Sequence, residues 1–299
     1  MSQRIALIVR PPGDEERVER LQQAVAALRR EGHVVVPRMT FGPGDAMRSA
    51  RAAARRRFDV VIAAGGDGTI NEVVNGLARE EWQPRLGIVP FGTANDFARG
   101  LGLPADITEA LRVAVSGQAV GVDVARVNGR CFVNVSTGGF GADATQAAPR
   151  AVKRRFGRLA YLVSGARRLI LFRLQQARFR ADGRVVHDGD FVFFAVGNAR
   201  LTGGGTRVTP RAEFGDGRLD VMIVCGVSRL DFLAMLPDLR RGSHMESPGV
   251  LYLRASRFEV ESPSPILVNA DGEPMEGTSF RYRLMPRPIN LMVEQEQPA

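Results

Sequence analysis

The chain has 299 residues, 44% of them hydrophobic and 24% charged, which allows two domains, or one large one, with a real core. No run approaches the ~20 apolar residues of a membrane-spanning helix. The N-terminus lacks the apolar stretch and cleavage site of a signal peptide, and two cysteines with three scattered histidines suggest neither a disulfide scaffold nor a zinc site. The net charge of +9 comes from arginine apart from Lys153. It suits an anionic partner or reflects genome composition, and no zinc finger, RNP-type motif or helix-turn-helix signal supports nucleic acid.

In chain order, the first half alternates strands and helices. Apolar runs predict strands over Ile5–Val9, Val34–Pro37, Val60–Ala64 and Leu86–Val89. Helical periodicity predicts helices over Glu15–Arg30, Asp45–Arg57, Ile70–Arg79 and Ile107–Val115. This alternation implies a parallel sheet covered by helices, with a ligand crevice at the strand C-terminal ends. From about residue 121 the pattern changes to short alternating segments: Val122–Val127, Cys131–Ser136, Gln176–Ala181, Phe191–Gly197, Leu219–Val224, Leu251–Ser256, Arg257–Glu261, Ile266–Ala270 and Phe280–Leu284. Asn128-Gly129 and Asp182-Gly183 are hairpin turn signals, so this half reads as a β-sandwich or barrel. The last strand, Ile289–Val293, is expected to return to the first domain. The expected domains are 1–121 with 286–299, and 122–285 with a helical insertion at 151–174. That insertion interleaves arginines with Phe156, Leu162, Ile170 and Phe172, which fits either a helix packed on the sandwich or one lying on an anionic bilayer.

One segment carries most of the chemistry. After the strand Val60–Ala64 comes Gly65-Gly66-Asp67-Gly68-Thr69, then the helix pattern Ile70, Val73, Val74 and Leu77. A strand, a glycine-rich turn and a helix bring backbone N–H groups up to a phosphate at the helix N-terminus. Thr69 is expected to cap the helix or donate to a phosphoryl oxygen, and Asp67 to face a metal–phosphate complex. A plain capped turn would leave Asp67 and Asn71 without a role. Pro90-Phe91-Gly92-Thr93-Ala94-Asn95-Asp96 follows the fourth strand, and Thr93 there can bond a phosphate or ribose. Glu213-Phe214-Gly215-Asp216-Gly217-Arg218 can present carboxylate and carbonyl oxygens to Mg²⁺ or Ca²⁺, or be a hairpin turn with solvated acids. Asp271-Gly272-Glu273 puts two carboxylates on one turn, where one can take a proton from a hydroxyl. No P-loop and no protein-kinase motif is present.

Gly65–Glu72, Phe91–Ala98, Gly197–Pro210, Asp216–Asp220 and Asp271–Pro274 stand in the order and spacing of the diacylglycerol kinase catalytic superfamily. Over nearly its whole length the chain resembles the bacterial lipid kinases of that superfamily. The resemblance implies α/β plus β: an N-terminal NAD-kinase-like three-layer α/β domain and a C-terminal β-sandwich, with ATP between them. It implies a nucleotide site of Thr40, Gly66, Asp67, Gly68, Thr69, Ile70, Asn71, Glu72 and Thr93. It further implies Mg²⁺, or Ca²⁺, at Glu213, Asp216 and Arg218, with Asp216 giving its side chain and the other two their carbonyls. Glu273 matches the proton acceptor, with Asp271 beside it. One departure is Arg10-Pro11-Pro12, where the family often has a polar, Asn-containing loop. The function so implied is an ATP-dependent lipid kinase phosphorylating a phosphatidylglycerol- or diacylglycerol-like hydroxyl. The expected partners are ATP and a lipid at the membrane surface, with no nucleic acid and a homodimer as an option. The expected location is the cytoplasm or the inner membrane face. The alternatives are a soluble-substrate kinase of the NAD kinase type, or a non-catalytic lipid- or nucleotide-binding regulator.

Overall fold

A computed structural model describes residues 2–11, 13–78, 80–140, 174–285 and 288–295. The predicted helical insertion at 151–174 therefore lies outside the described residues except for Leu174. The chain divides into two units. The first comprises Met1–Val124, Arg130–Val133 and Met285–Ala299; the second comprises Ala125–Gly129 and Asn134–Leu284.

In the first unit, strands β1 (Arg4–Val9), β2 (Val34–Met39), β3 (Val60–Gly65) and β4 (Arg85–Pro90) alternate with helices α1 (Glu15–Arg30), α2 (Asp45–Arg55) and α3 (Asp67–Leu77). A short helix α4 (Asp96–Gly100), helix α5 (Ile107–Ser116) and strand β5 (Gln118–Val122) follow. Strand β1 is buried from Ile5 to Val9 and β3 from end to end, as expected for parallel strands covered on both faces. Ile5, Leu7 and Val9 share one core with Leu21, Val25 and Leu28 of α1 and Leu111 and Ala114 of α5. Alternation turns Ala6, Ile8, Val61 and Ala63 to the opposite face. Helices α2 and α3 pack closely at Gly76, where an added Cβ would stand 2.5 Å from the Met47 carbonyl oxygen.

Ile289–Val293 forms a strand of this sheet, as the sequence predicts. With β6 (Ala125–Val127), β7 (Arg130–Phe132), β8 (Val135–Gly139), β9 (Gln175–Ala181), β10 (Arg184–Gly197), β11 (Leu219–Cys225), β12 (Val250–Ala255), β13 (Arg257–Ala270) and β14 (Glu273–Leu284) preceding it, it is β15. The sheet order is β2-β1-β3-β4-β15-β5, with β15 parallel to β4 and β5 antiparallel to β15. From β1 the chain turns to β2 on one side and to β3 on the other. The C-terminal ends of β1 and β3 therefore form the switch point at which open α/β sheets bind ligands.

The second unit is an antiparallel sheet with the order β12-β11-β10-β8-β13-β14-β6. The two 14-residue strands β10 and β13 flank one slot, filled by β9 at one end and by β8 at the other. One sheet face packs Phe193, Ala195, Met222 and Val224 on helix α6 (Arg229–Arg241) through Phe232, Met235 and Leu239. A second core stacks Phe179, Phe191, Phe194, Phe258 and Tyr282, with centroids 5.1–6.4 Å apart. The hairpin signals hold: Asn128, Gly129, Asp182 and Gly183 all have positive φ, as a type I′ turn requires. The sequence reading differs at several places. The predicted Val122–Val127 is divided between β5 and β6, Cys131–Ser136 between β7 and β8, and β10 starts at Arg184 rather than Phe191. Arg257–Glu261 and Ile266–Ala270 are one strand with a register shift between Glu261 and Ile266. Strand β14 starts at Glu273 rather than Phe280, because Asp271-Gly272 (φ +49° and +90°) is itself a two-residue turn. Helix α6 was not anticipated. Among the described residues no helix is long and apolar enough to cross a membrane.

Candidate functional site

Four loops meet the C-terminal end of the first sheet: Arg10-Pro11 after β1, Thr40 after β2, Gly66 after β3 and Phe91–Asn95 after β4. Backbone bonds tie them together. Arg10 N–H donates to Ala64 O (2.9 Å), Thr40 N–H to Val9 O (2.9 Å) and Phe91 N–H to Gly65 O (2.8 Å). The Thr40 hydroxyl also donates to Val9 O at 3.3 Å.

Two glycines make the centre of this arrangement possible. A Cβ at Gly92 would stand 2.7 Å from Gly66 Cα, and one at Gly66 would stand 3.1 Å from Gly92 Cα. At Gly65 it would fall 2.5 Å from the Thr69 hydroxyl oxygen. The backbone thus runs where no side chain fits, which is the form a phosphate cradle takes. Asn95, at φ +49°, closes the β4 loop on itself: Gly92 N–H donates to its Oδ1 (2.8 Å) and its Nδ2 donates to Gly92 O (2.8 Å). Thr93 stands exposed beside this ring.

Helix α3 starts at Asp67, three residues earlier than the hydrophobic pattern predicts, so Gly68 and Thr69 lie in its first turn. Its N-cap is Gly66, with no side-chain cap. Thr69 N–H and Ile70 N–H bond the Gly66 carbonyl. The N–H groups of Gly66, Asp67 and Gly68 precede any intrahelical acceptor.

Several predicted residues carry structural bonds. Thr69 does not cap the helix; it is buried within the first turn. Asp67 has a capping duty after all, because its Oδ1 accepts from Phe97 N–H (3.2 Å) at the start of α4. Asn71 is buried, donating to Cys131 O (3.2 Å) and accepting from Asn75 Nδ2 (3.0 Å). Glu72 takes Gly44 N–H (2.9 Å) and Ala46 N–H (3.1 Å). It supplies the N-terminal acceptors that Gly44 lacks and pins the β2–α2 loop to α3. Ile70 is core.

In the second unit, Asp271 and Glu273 stand at the β13–β14 turn. Asp271 is held from two sides: Asn134 N–H (3.1 Å) and Val135 N–H (3.2 Å) donate to its Oδ1. Gly272 N–H bonds Asn269 Oδ1 at 2.8 Å. Glu273, the first residue of β14 and the register partner of Ala270, is exposed. The Asn134 carbonyl accepts from Asn198 N–H (2.9 Å) and Ala199 N–H (3.0 Å). This ties the glycine-rich loop after β10 to the residue that holds Asp271. Gly197 is obligatory there, since a Cβ would lie 2.0 Å from the Thr209 hydroxyl. Asn134 and Asn198 are both nearly fully buried. Sequence reasoning missed Asn134; its contribution is through the backbone and leaves no side-chain signature.

Glu213, Asp216 and Arg218 lie on the loop entering β11. Asp216 Oδ1 accepts from Arg218 N–H (2.9 Å) and its Oδ2 pairs with the Arg254 guanidinium. Glu213 pairs with Arg200 at 3.6 Å. Both Asp216 oxygens therefore face N–H donors. Asp220 is buried, and burial raises its carboxyl pKa. It accepts from the Tyr252 hydroxyl at 2.7 Å, and burial together with this bond raises the pKa of the phenol.

Comparison with known proteins agrees with this layout. Residues 4–127 match the diacylglycerol kinase catalytic domain, and residues 134–293 match the YegS C-terminal NAD kinase beta sandwich-like domain. A protein of Enterobacter sp. (strain 638) named "Probable lipid kinase YegS-like" is 37% identical over 94% of this chain and 93% of its own. "Probable lipid kinase YegS" of Escherichia coli O9:H4 (strain HS) is 36% identical over 93% and 92%. A solved structure of a candidate diacylglycerol kinase from Bacillus anthracis str. Sterne superposes with a TM-score of 0.82 at 26% identity, covering 98% of this chain and 95% of that one.

Proposed function

The chain belongs to the diacylglycerol kinase catalytic domain family, in its YegS-type branch, and from this we propose that it is an ATP-dependent lipid kinase, moving the γ-phosphate of ATP to a hydroxyl of a phosphatidylglycerol- or diacylglycerol-like lipid. The observation that carries the reading is the close approach of Gly66 and Gly92 at the switch point of the sheet. Beside it the N–H groups of Gly66, Asp67 and Gly68 precede any intrahelical acceptor, which suits a phosphate.

The nucleotide is held at Gly66–Thr69, with Thr40 and Thr93 at its edges. Glu72 and Asn71 act on it indirectly, by fixing the β2–α2 loop and the body of α3. Glu273 accepts the proton of the lipid hydroxyl while that oxygen forms a bond to the γ-phosphorus. The bond from the γ-phosphorus to the β–γ bridging oxygen breaks, and ADP leaves with its electron pair. Asp271, oriented by the Asn134 and Val135 amides, fixes the turn that carries Glu273. A Mg²⁺ ion, if bound with the nucleotide, would supply charge neutralisation on its phosphates. The acceptor lipid lies at a membrane surface, which the protein meets from the cytoplasmic side.

The test is transfer of label from γ-labelled ATP to a panel of lipids in mixed micelles, with NAD as a soluble acceptor and Glu273→Gln as control. Label on a lipid, reduced on the order of 10²–10⁴-fold in the variant, is the expected result. Label on NAD alone would favour a soluble-substrate kinase, and label on neither would favour a binding protein.

A further inference from the structure

The resemblance implies a divalent cation at the Glu213–Arg218 loop, yet a cation of the chain's own already stands there. Strands β11 and β12 run antiparallel with Asp220 opposite Arg254. The Arg254 guanidinium reaches Asp220 Oδ2 with its Nε (3.6 Å) and Asp216 Oδ2 with Nη2. The Asp220 side chain is 1% exposed and that of Asp216 18%. The remaining oxygens are also bonded: Asp216 Oδ1 to Arg218 N–H, and Asp220 Oδ1 to the Tyr252 hydroxyl, which in turn accepts from Arg211 N–H at 3.2 Å. The neighbouring charges are engaged elsewhere, Glu213 with Arg200 (3.6 Å) and Arg218 with Ser256 (3.2 Å) and Asp182 (3.9 Å).

We propose that Arg254 replaces the metal at this loop: its guanidinium bridges Asp216 and Asp220, so the 213–220 segment is held without a bound divalent cation. The chemistry favours this arrangement. A guanidinium is a fixed planar fork that keeps its charge at every working pH and meets two carboxylates at once. Mg²⁺ demands near-octahedral oxygen coordination and Ca²⁺ six to eight oxygens, whereas the Asp216 and Asp220 oxygens already face Arg254, the Arg218 amide and the Tyr252 hydroxyl. A cation and Arg254 would also compete for the same Asp216 oxygen.

The experiment uses the full chain free of nucleotide, with thermal melting and calorimetric titration against Mg²⁺ and Ca²⁺, so it is independent of phosphotransfer. Wild type is expected to melt identically in chelator and in millimolar Mg²⁺ or Ca²⁺, and to give no saturable heat. Arg254→Gln leaves two carboxylates without their counter-charge. It is expected to melt lower in chelator and to recover on adding Ca²⁺, with saturation on the order of 10⁻⁴–10⁻³ M. Should Arg254→Gln not fold, Arg254→Lys, which keeps a positive charge, is expected to stay indifferent to both cations. Saturable Mg²⁺ or Ca²⁺ binding to wild type that Asp216→Asn abolishes would overturn the proposal. So would an Arg254→Gln protein as stable in chelator as wild type.

Discussion

Gly68 separates the space that the fold needs from the space that a ligand needs. It lies in the first turn of α3, and a Cβ built there meets nothing within 4 Å. Gly68→Ala therefore introduces no clash, and the better helix propensity of alanine adds at most about 1 kcal/mol, or roughly 2–4 °C in melting temperature. A bound phosphate changes the result. If the Gly68 N–H donates to it, a methyl group beside that N–H weakens or removes one charge-assisted bond, about 1.5–3 kcal/mol. That corresponds to roughly a 10- to 150-fold rise in Kd. Gly92→Ala is the contrasting variant. Its Cβ would land 2.7 Å from Gly66 Cα, and ordinary contact begins at 3.4 Å. The two loops must therefore part by 3.4 − 2.7 = 0.7 Å. Overpacking of that kind costs about 1–3 kcal/mol and lowers melting by roughly 2–12 °C. Scanning fluorimetry without nucleotide and calorimetric titration with Mg·ATP read both quantities. A Gly68→Ala protein that binds ATP as tightly as wild type would refute the phosphate reading of this helix start. A Gly92→Ala protein as stable as wild type would refute the steric argument.

Other expectations concern single groups. Burial holds the His244 imidazole below its ordinary pKa, with its ring nitrogens near the Val208 (3.2 Å) and Asp238 (3.4 Å) carbonyls. The unfolded chain then takes up the proton first. The stability contributed by the neutral ring is whole above about 6.5 and is lost as pH falls through the lowered folded value. Melting followed from about pH 8 to 5 should decline less steeply in His244→Gln; equal slopes would dismiss the assignment. Glu72→Gln leaves the start of α2 with a weaker acceptor and should cost about 1–2 kcal/mol in urea denaturation. A change confined to ATP affinity would instead put Glu72 on the nucleotide. Asp271→Asn keeps a residue that tolerates positive φ and an acceptor for both amides. It should melt within about 1.5 kcal/mol of wild type and keep most of its turnover; a variant that folds but loses turnover would give Asp271 a chemical role beyond holding the turn.

The core of the first sheet was legible because β1, β3 and β4 are buried on both faces and read as continuous apolar runs. The turns were legible where local chemistry fixes them, as at Asn128-Gly129 and Asp182-Gly183. Reading failed where a local signal was outweighed. Pro263 and Pro265 lie between the two predicted strands, and β13 runs through them with a register shift. Helix α6 contains Pro237, while Ser228 and Asp231 form a capping box at its start and Gly242 ends it with positive φ. In the candidate site the residue types could be read, but their partners could not. Asp67 with Phe97, Asp271 with Asn134 and Asp216 with Arg254 join segments far apart in sequence, and no spacing rule brings them together.

The place of β15 has a consequence for synthesis. Within the first sheet, among the described residues, β5 is hydrogen-bonded to β15 alone, and β15 fills the position between β4 and β5. A nascent chain has made every other strand of that sheet, and then the whole second unit, before Ile289–Val293 leaves the ribosome. Until then β4 presents an unpaired apolar edge, and β5 has nothing in its own sheet to join. The first unit, though encoded first, is completed last, and the exposed β4 edge is where a chaperone would bind or a stalled chain would aggregate.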